Sequence, residues 1–149
     1  MLSNFEQVRK FHEKFGLLSN SSPTNISKEE WKLRWELISE EYTEVWEELF
    51  EQHDPKCKVE LRTDIDLKKV AKELGDLLYV VYGTYVALGI NADVVFEEIQ
   101  RSNMSKLDKD GNVLRRDDGK ILKSDQYSPA NMDKVFNDLD NNPVIFFGS

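Results

Sequence analysis

Two runs of apolar residues recur at alternating three- and four-residue spacing, and they restrict this chain to helices packed on helices. The first is Trp31, Trp35, Ile38, Tyr42, Val45 and Leu49, at spacings of 4, 3, 4, 3 and 4. The second is Leu67, Val70, Leu74, Leu77, Val81, Tyr85 and Leu88. A strand turns every second side chain to one face, so a stripe of this period cannot line a sheet. It does line one side of a long helix, and each stripe reads as a core or helix-helix seam.

Local signals divide the rest of the chain. Phe5, Val8, Phe11 or His12, and Phe15 share a face, and Gly16 stops that first helix. Residues 17–25 have loop chemistry, with Ser19, Asn20, Ser21, Ser22 and Pro23 together. Ser27 with Glu30 is a capping-box pattern opening the second helix, which is expected to reach about His53 before Asp54-Pro55 ends it. Asp64 is the expected cap of the third helix and Gly89 its stop; Asn91 caps a fourth, of about 15 residues. Asp110-Gly111 and Asp118-Gly119 are turn dipeptides, so a small hairpin is expected there. Ser128-Pro129 reads as a cap before a last helix over Ala130 to Asp140, followed by an apolar C-terminus from Val144 to Phe147. The expected fold class is all-α: one domain over 1–149, a bundle of four to five helices with a short C-terminal loop or β-hairpin.

Composition narrows the function. A hydrophobic share of 40% supports a core, and a net charge of −8 excludes a basic nucleic-acid footprint. Charge is segregated: residues 101–123 carry a balance of +3, leaving −11 on the remainder. The single cysteine, Cys57, allows no internal disulfide and fits a reducing compartment. The N-terminus lacks a signal-peptide pattern, and the apolar run Leu77 to Ile90 is 14 residues where a span needs about 20. A cytoplasmic protein without a membrane partner is expected.

The acidic residues carry the chemistry. On a helix Glu41 and Glu44 share a face at i, i+3, as do Glu73 and Asp76 on the next. Acidic residues on long helices are often only a solvated face. Here two clusters lie on successive helices, and Lys or Arg at i±4 of Glu40, Glu41 and Glu44 is scarce. Four carboxylates brought together call for a hard divalent cation with oxygen ligands, magnesium or manganese. A di-iron site would require Glu-x-x-His, and the two histidines, His12 and His53, stand outside such a setting. Asp108 to Asn112 departs from a calcium loop, since Val113 and Gly119 occupy the positions of its Gly and Glu.

Glu-Glu-x-x-Glu followed after about 30 residues by Glu-x-x-Asp resembles the all-α nucleoside triphosphate pyrophosphohydrolases of the MazG-like superfamily. Phe11-His12-x-x-Phe15-Gly16, Asn103-Met104-Ser105-Lys106, Asp118-Gly119-Lys120, Lys123 and Tyr127-Ser128-Pro129 are similar to its phosphoribosyl-ATP-pyrophosphohydrolase-like branch. The resemblance implies that Glu41, Glu44, Glu73 and Asp76 hold metal, two or more Mg2+ or Mn2+ ions per site, with Glu40 a further ligand or base. It implies that Asn103 and Lys106, on the fourth helix, hold sugar and phosphates. Lys120, Lys123 and Tyr127 would belong to a tail, 107–149, that closes over the ligand.

The expected activity is hydrolysis of a deoxynucleoside triphosphate, dUTP first, between the α and β phosphates, with Glu40 or Glu41 as base. Phosphoribosyl-ATP is the alternative substrate, and a non-catalytic acidic helical oligomer the alternative role. Apolar residues off the main seam, such as Trp46 and Phe50, point to a homodimer or homotetramer.

Overall fold

The computed structural model describes residues 1–51 and 59–141. Expectations for His53, Asp54-Pro55, Cys57 and the apolar C-terminus lie outside the described residues. Five helices are present among them: α1 (Asn4–Phe15), α2 (Lys28–Leu49), α3 (Leu67–Leu88), α4 (Ala92–Met104) and α5 (Met132–Asn141). A two-residue antiparallel ladder joins β1 (Phe50–Glu51) to β2 (Glu60–Leu61). The all-α expectation is met. No single helix among the described residues is long and apolar enough to cross a membrane. The chain forms two compact units, Met1–Asn20 with Thr24–Gly89, and Ser21–Pro23 with Ile90–Ser149.

In the first unit α3 packs on both α1 and α2. Ser3 and Glu6 form a reciprocal capping box at the start of α1, and Gly16, at φ 65°, closes it in the left-handed region that glycine adopts without strain. Ser27 accepts from the Glu30 N–H as expected. The reciprocal half of that box is missing, because Arg34 takes the Glu30 carboxylate through Nε at 2.8 Å and Nη2 at 2.6 Å. The second helix ends at Leu49, short of His53, since the next two residues pair with β2. Asp66, not Asp64, caps α3, its side chain accepting from the Lys68 N–H. Asp64 faces Arg62 at 3.6 Å instead. The loop after α1 satisfies the other end of α3: Asn20 donates through its backbone to Val86 and through Nδ2 to Ala87, and Thr24 to Leu88.

The buried residues among those described in this unit are Phe5, Val8, Arg9, His12, Arg34, Gly83, Val86, Ala87 and Gly89. That corrects the expected seam. Trp35 is 68% exposed, Tyr42 61%, Leu67 77% and Leu74 46%, so the two long stripes are not consumed within one chain. Trp46 and Phe50, expected to be spare apolar surface, are half-buried and stack on each other at 5.7 Å. His12 sits where α1 meets α3, its Nδ1–H donating to the Leu18 carbonyl at 2.8 Å. Nothing larger than glycine fits opposite it, since a Cβ on Gly83 would lie 2.9 Å from His12 Nε2.

In the second unit, Asn91 caps α4, accepting from the Asp93 N–H, as expected. The last helix starts two residues later than expected. Asn131 caps it by accepting from the Lys134 N–H, while Ser128 exchanges hydrogen bonds with Ser105 Oγ. The carboxylate of Glu98 joins α4 to this cap, taking Arg101 through both oxygens and the Asn131 N–H at 2.7 Å. Those donors hold its pKa down to about 2. The expected hairpin is present: Arg115 bridges Ile121, and Gly119 turns the chain at φ 85°. Asp108 spends its carboxylate on the Asp110 and Asn112 N–H groups, a local turn in place of a calcium loop.

Candidate active site

The acidic cluster lies in the first unit, where α2 and α3 pack side by side. Spacing puts Glu41 and Glu44 one turn apart on α2, and Glu73 and Asp76 one turn apart on α3. Packing brings the two turns together. Glu41, Glu73 and Asp76, all half-buried, each offer an oxygen within 4.8 Å of the others. Glu44 lies beside them, and its pKa is raised first by its interaction with the Glu73 carboxylate, then by burial and the Glu41 charge. The Glu41 pKa is raised chiefly by burial and next by Asp76. Glu40 is exposed and stands outside the close set, though it contributes to the field on Glu41.

One cation reaches the cluster from the chain itself. Lys72 Nζ lies 2.9 Å from Glu73 Oε2, 3.0 Å from Asp76 Oδ2 and 3.8 Å from Glu44 Oε2. The sequence reading missed it by seeking neutralising charge at i±4 of the α2 glutamates. Lys72 is i−4 from Asp76 and reaches Glu44 across the helix pair. Lys69 similarly faces Glu48, at 4.0 Å. The inner oxygen of Glu41, Oε2, is buried and lacks a hydrogen-bond partner. An all-oxygen donor set with an unsatisfied inner carboxylate fits a hard divalent cation such as Mg2+ or Mn2+.

The second unit holds a group of its own. Lys106 donates to Asn103 Oδ1 at 2.8 Å, and it lies just beyond the end of α4, not on the helix as expected. Lys123 places its ammonium 4.2 Å from the centre of the Tyr127 ring. The Tyr127 pKa is lowered first by a hydrogen bond with Ser102 and then by Lys123 and Lys106. Ser102, buried on α4 one turn after Glu98, had no sequence signal that marked it for a site. Lys120 is exposed and enters the turn through its backbone, its N–H donating to Asp118 Oδ1.

A model of the phosphoribosyl-ATP pyrophosphohydrolase family matches residues 8–103, well over half of the 149. The chain belongs to that family. It is thereby a pyrophosphohydrolase of the MazG-like all-α superfamily, a hydrolase acting on acid anhydrides. The matched span includes Glu40, Glu41, Glu44, Glu73, Asp76 and Asn103; Lys106, Lys120, Lys123 and Tyr127 follow it. The family is typically metal-dependent, in keeping with the oxygen-only donor set on α2 and α3. A search of curated proteins returned no match.

Proposed function

We propose that this pyrophosphohydrolase cleaves the 5′-triphosphate of a nucleotide between its α and β phosphates, releasing the monophosphate and pyrophosphate. The observation supporting the reading is the convergence of Glu41, Glu73 and Asp76, with Glu44 beside them, on one patch of the α2 and α3 pair. These four carboxylates would hold the divalent ions. Bound there, magnesium or manganese supplies charge neutralisation for the polyphosphate and acidifies a coordinated water. Glu40, exposed and next to Glu41, would accept the proton of the water that attacks the anhydride. The raised pKa of Glu41 makes it the second candidate for that proton. In the second unit, Lys106 and Lys123 offer ammonium groups, and Asn103 an amide, suited to phosphate oxygens and a sugar.

Two substrates meet this chemistry. A deoxynucleoside triphosphate, dUTP first, is the reading carried by the resemblance to the MazG-like superfamily; phosphoribosyl-ATP is carried by the family description. The exposed Trp35, Tyr42, Leu67 and Leu74 support a homo-oligomer that covers the long stripes of α2 and α3.

Pyrophosphate release would be measured over the four dNTPs, dUTP, the ribonucleotides and phosphoribosyl-ATP, with magnesium, manganese or EDTA. Release is expected only with metal, favouring one substrate. Asp76→Asn is expected to lower kcat at least about 100-fold with helical circular dichroism retained, and Lys106→Met to raise KM. Metal-independent turnover, or an active Asp76→Asn enzyme, would refute the reading. Silence across the panel would favour the non-catalytic role.

A further inference from the structure

Lys72 stands out because it is a monovalent cation held where the proposed function requires a divalent one. Its ammonium touches Glu73 Oε2 and Asp76 Oδ2 at hydrogen-bond distance and approaches Glu44. These are three of the four carboxylates assigned to the ion. It leaves the fourth unserved, since Glu41 Oε2 is buried without a partner. The side chain is 61% exposed, so it enters from the solvent side on a flexible four-carbon stem and can withdraw without disturbing the core.

We propose that Lys72 is an intramolecular competitor for the divalent ion: its ammonium holds the carboxylates together in the empty site and has to leave for the ion to enter. The inference rests on the metal-site reading above. Both claimants draw on the same carboxylates, Glu73 and Asp76, so the ammonium and the ion compete for one patch and repel each other there. The ammonium carries one charge against four carboxylates, and the ion displaces it because two charges compensate that field better and also engage the inner oxygen of Glu41. Lys72 thereby sets the metal concentration at which the site fills. It also keeps the empty site folded, since close like charges without a counter-ion push α2 and α3 apart.

Lys69 supplies the control. It lies one turn away on α3 and is about as exposed as Lys72, 63% against 61%, yet among the described residues its ion pair is with Glu48, at 4.0 Å. A general effect of nearby positive charge would make the two lysines equivalent; competition by contact makes them different.

The test is Mn2+ binding to the full chain, followed by the loss of the free-ion electron paramagnetic resonance signal, with melting curves in EDTA and in saturating Mn2+. Exposed pairs of this kind are each worth under about 1 kcal/mol, so removing the two close contacts of Lys72 is expected to tighten Mn2+ roughly three- to tenfold. Lys72→Met should also melt below wild type in EDTA and match it in saturating Mn2+. Lys72→Gln, which keeps a hydrogen-bonding head, should tighten binding too, and serves if the methionine variant fails to fold without metal. Lys69→Met should stay within about twofold of wild type. Unchanged or weaker Mn2+ binding in the Lys72 variants, or equal tightening by Lys69→Met, overturns the proposal while leaving the metal site standing. No saturable Mn2+ binding by wild type, or wild-type affinity in Asp76→Asn, overturns the metal-site reading and this inference with it.

Discussion

Replacing Gly83 with alanine separates two opposing effects whose sign the structure decides. Gly83 lies inside α3, where propensity alone makes alanine more stable by about 1 kcal/mol. Its new Cβ would stand 2.9 Å from His12 Nε2, 3.6 Å from Cε1 and 3.7 Å from Arg34 Nη1. Comfortable contacts begin near 3.5 Å, so ring or helix has to move by roughly half an ångström or more. The imidazole is poorly able to give way, being 3% exposed and tied through Nδ1 to the Leu18 carbonyl. Overpacking of this kind costs about 1–3 kcal/mol, and losing the Leu18 hydrogen bond adds about 1 kcal/mol. Against the propensity gain the net effect is a destabilisation of about 1–3 kcal/mol, or a fall in Tm of roughly 3–9 °C for a chain of this size. Urea unfolding and calorimetry would measure it. In a His12→Ala background the clash is gone, and the same substitution should stabilise by about 1 kcal/mol. A Gly83→Ala protein that melts above wild type would refute the close packing of α1 on α3.

Two further predictions concern pH. Burial lowers the His12 pKa below 6.5, with Arg34 adding to the shift and the Leu18 carbonyl and Glu30 opposing it. The unfolded chain then binds the extra proton first, so stability falls as pH drops below about 6.5. His12→Asn, measured by urea unfolding at pH 7.5 and 5.5, should lose most of that dependence; an unaltered slope would refute the assignment. Glu98 works in a lower window. With its pKa depressed from 4.5 to about 2 by Arg101 and the Asn131 N–H, its contribution is complete above pH 4.5 and is lost as pH falls toward 2. Acid unfolding followed by circular dichroism should show Glu98→Gln less stable at neutral pH and flatter across that window.

Local chemistry was the legible part. Gly16 and Gly89 end their helices, and Ser27 and Asn91 begin theirs, because a cap is decided by one residue and its neighbours within a turn. Errors came where two local candidates competed. Asp66 prevailed over Asp64, and Asn131 over Ser128, because Arg62 and Ser105 engaged the rejected residues. The end of α2 at Leu49 was decided by pairing of the next two residues with partners eleven and nine positions away.

The acidic site divides in the same way. Spacing alone placed Glu41 with Glu44 and Glu73 with Asp76, since helical period is a property of consecutive residues, and the motif pair pointed to the family before any coordinates. Only packing of α2 against α3 could bring the pairs together, leave Glu41 Oε2 buried and unpartnered, and set Lys72 among the acids. The same packing left Trp35 and Leu74 outward and buried His12 and Arg34 instead. Periodicity reports that a helix has an apolar face; which partner covers that face depends on contacts between residues far apart in sequence, and those exist only in the folded chain.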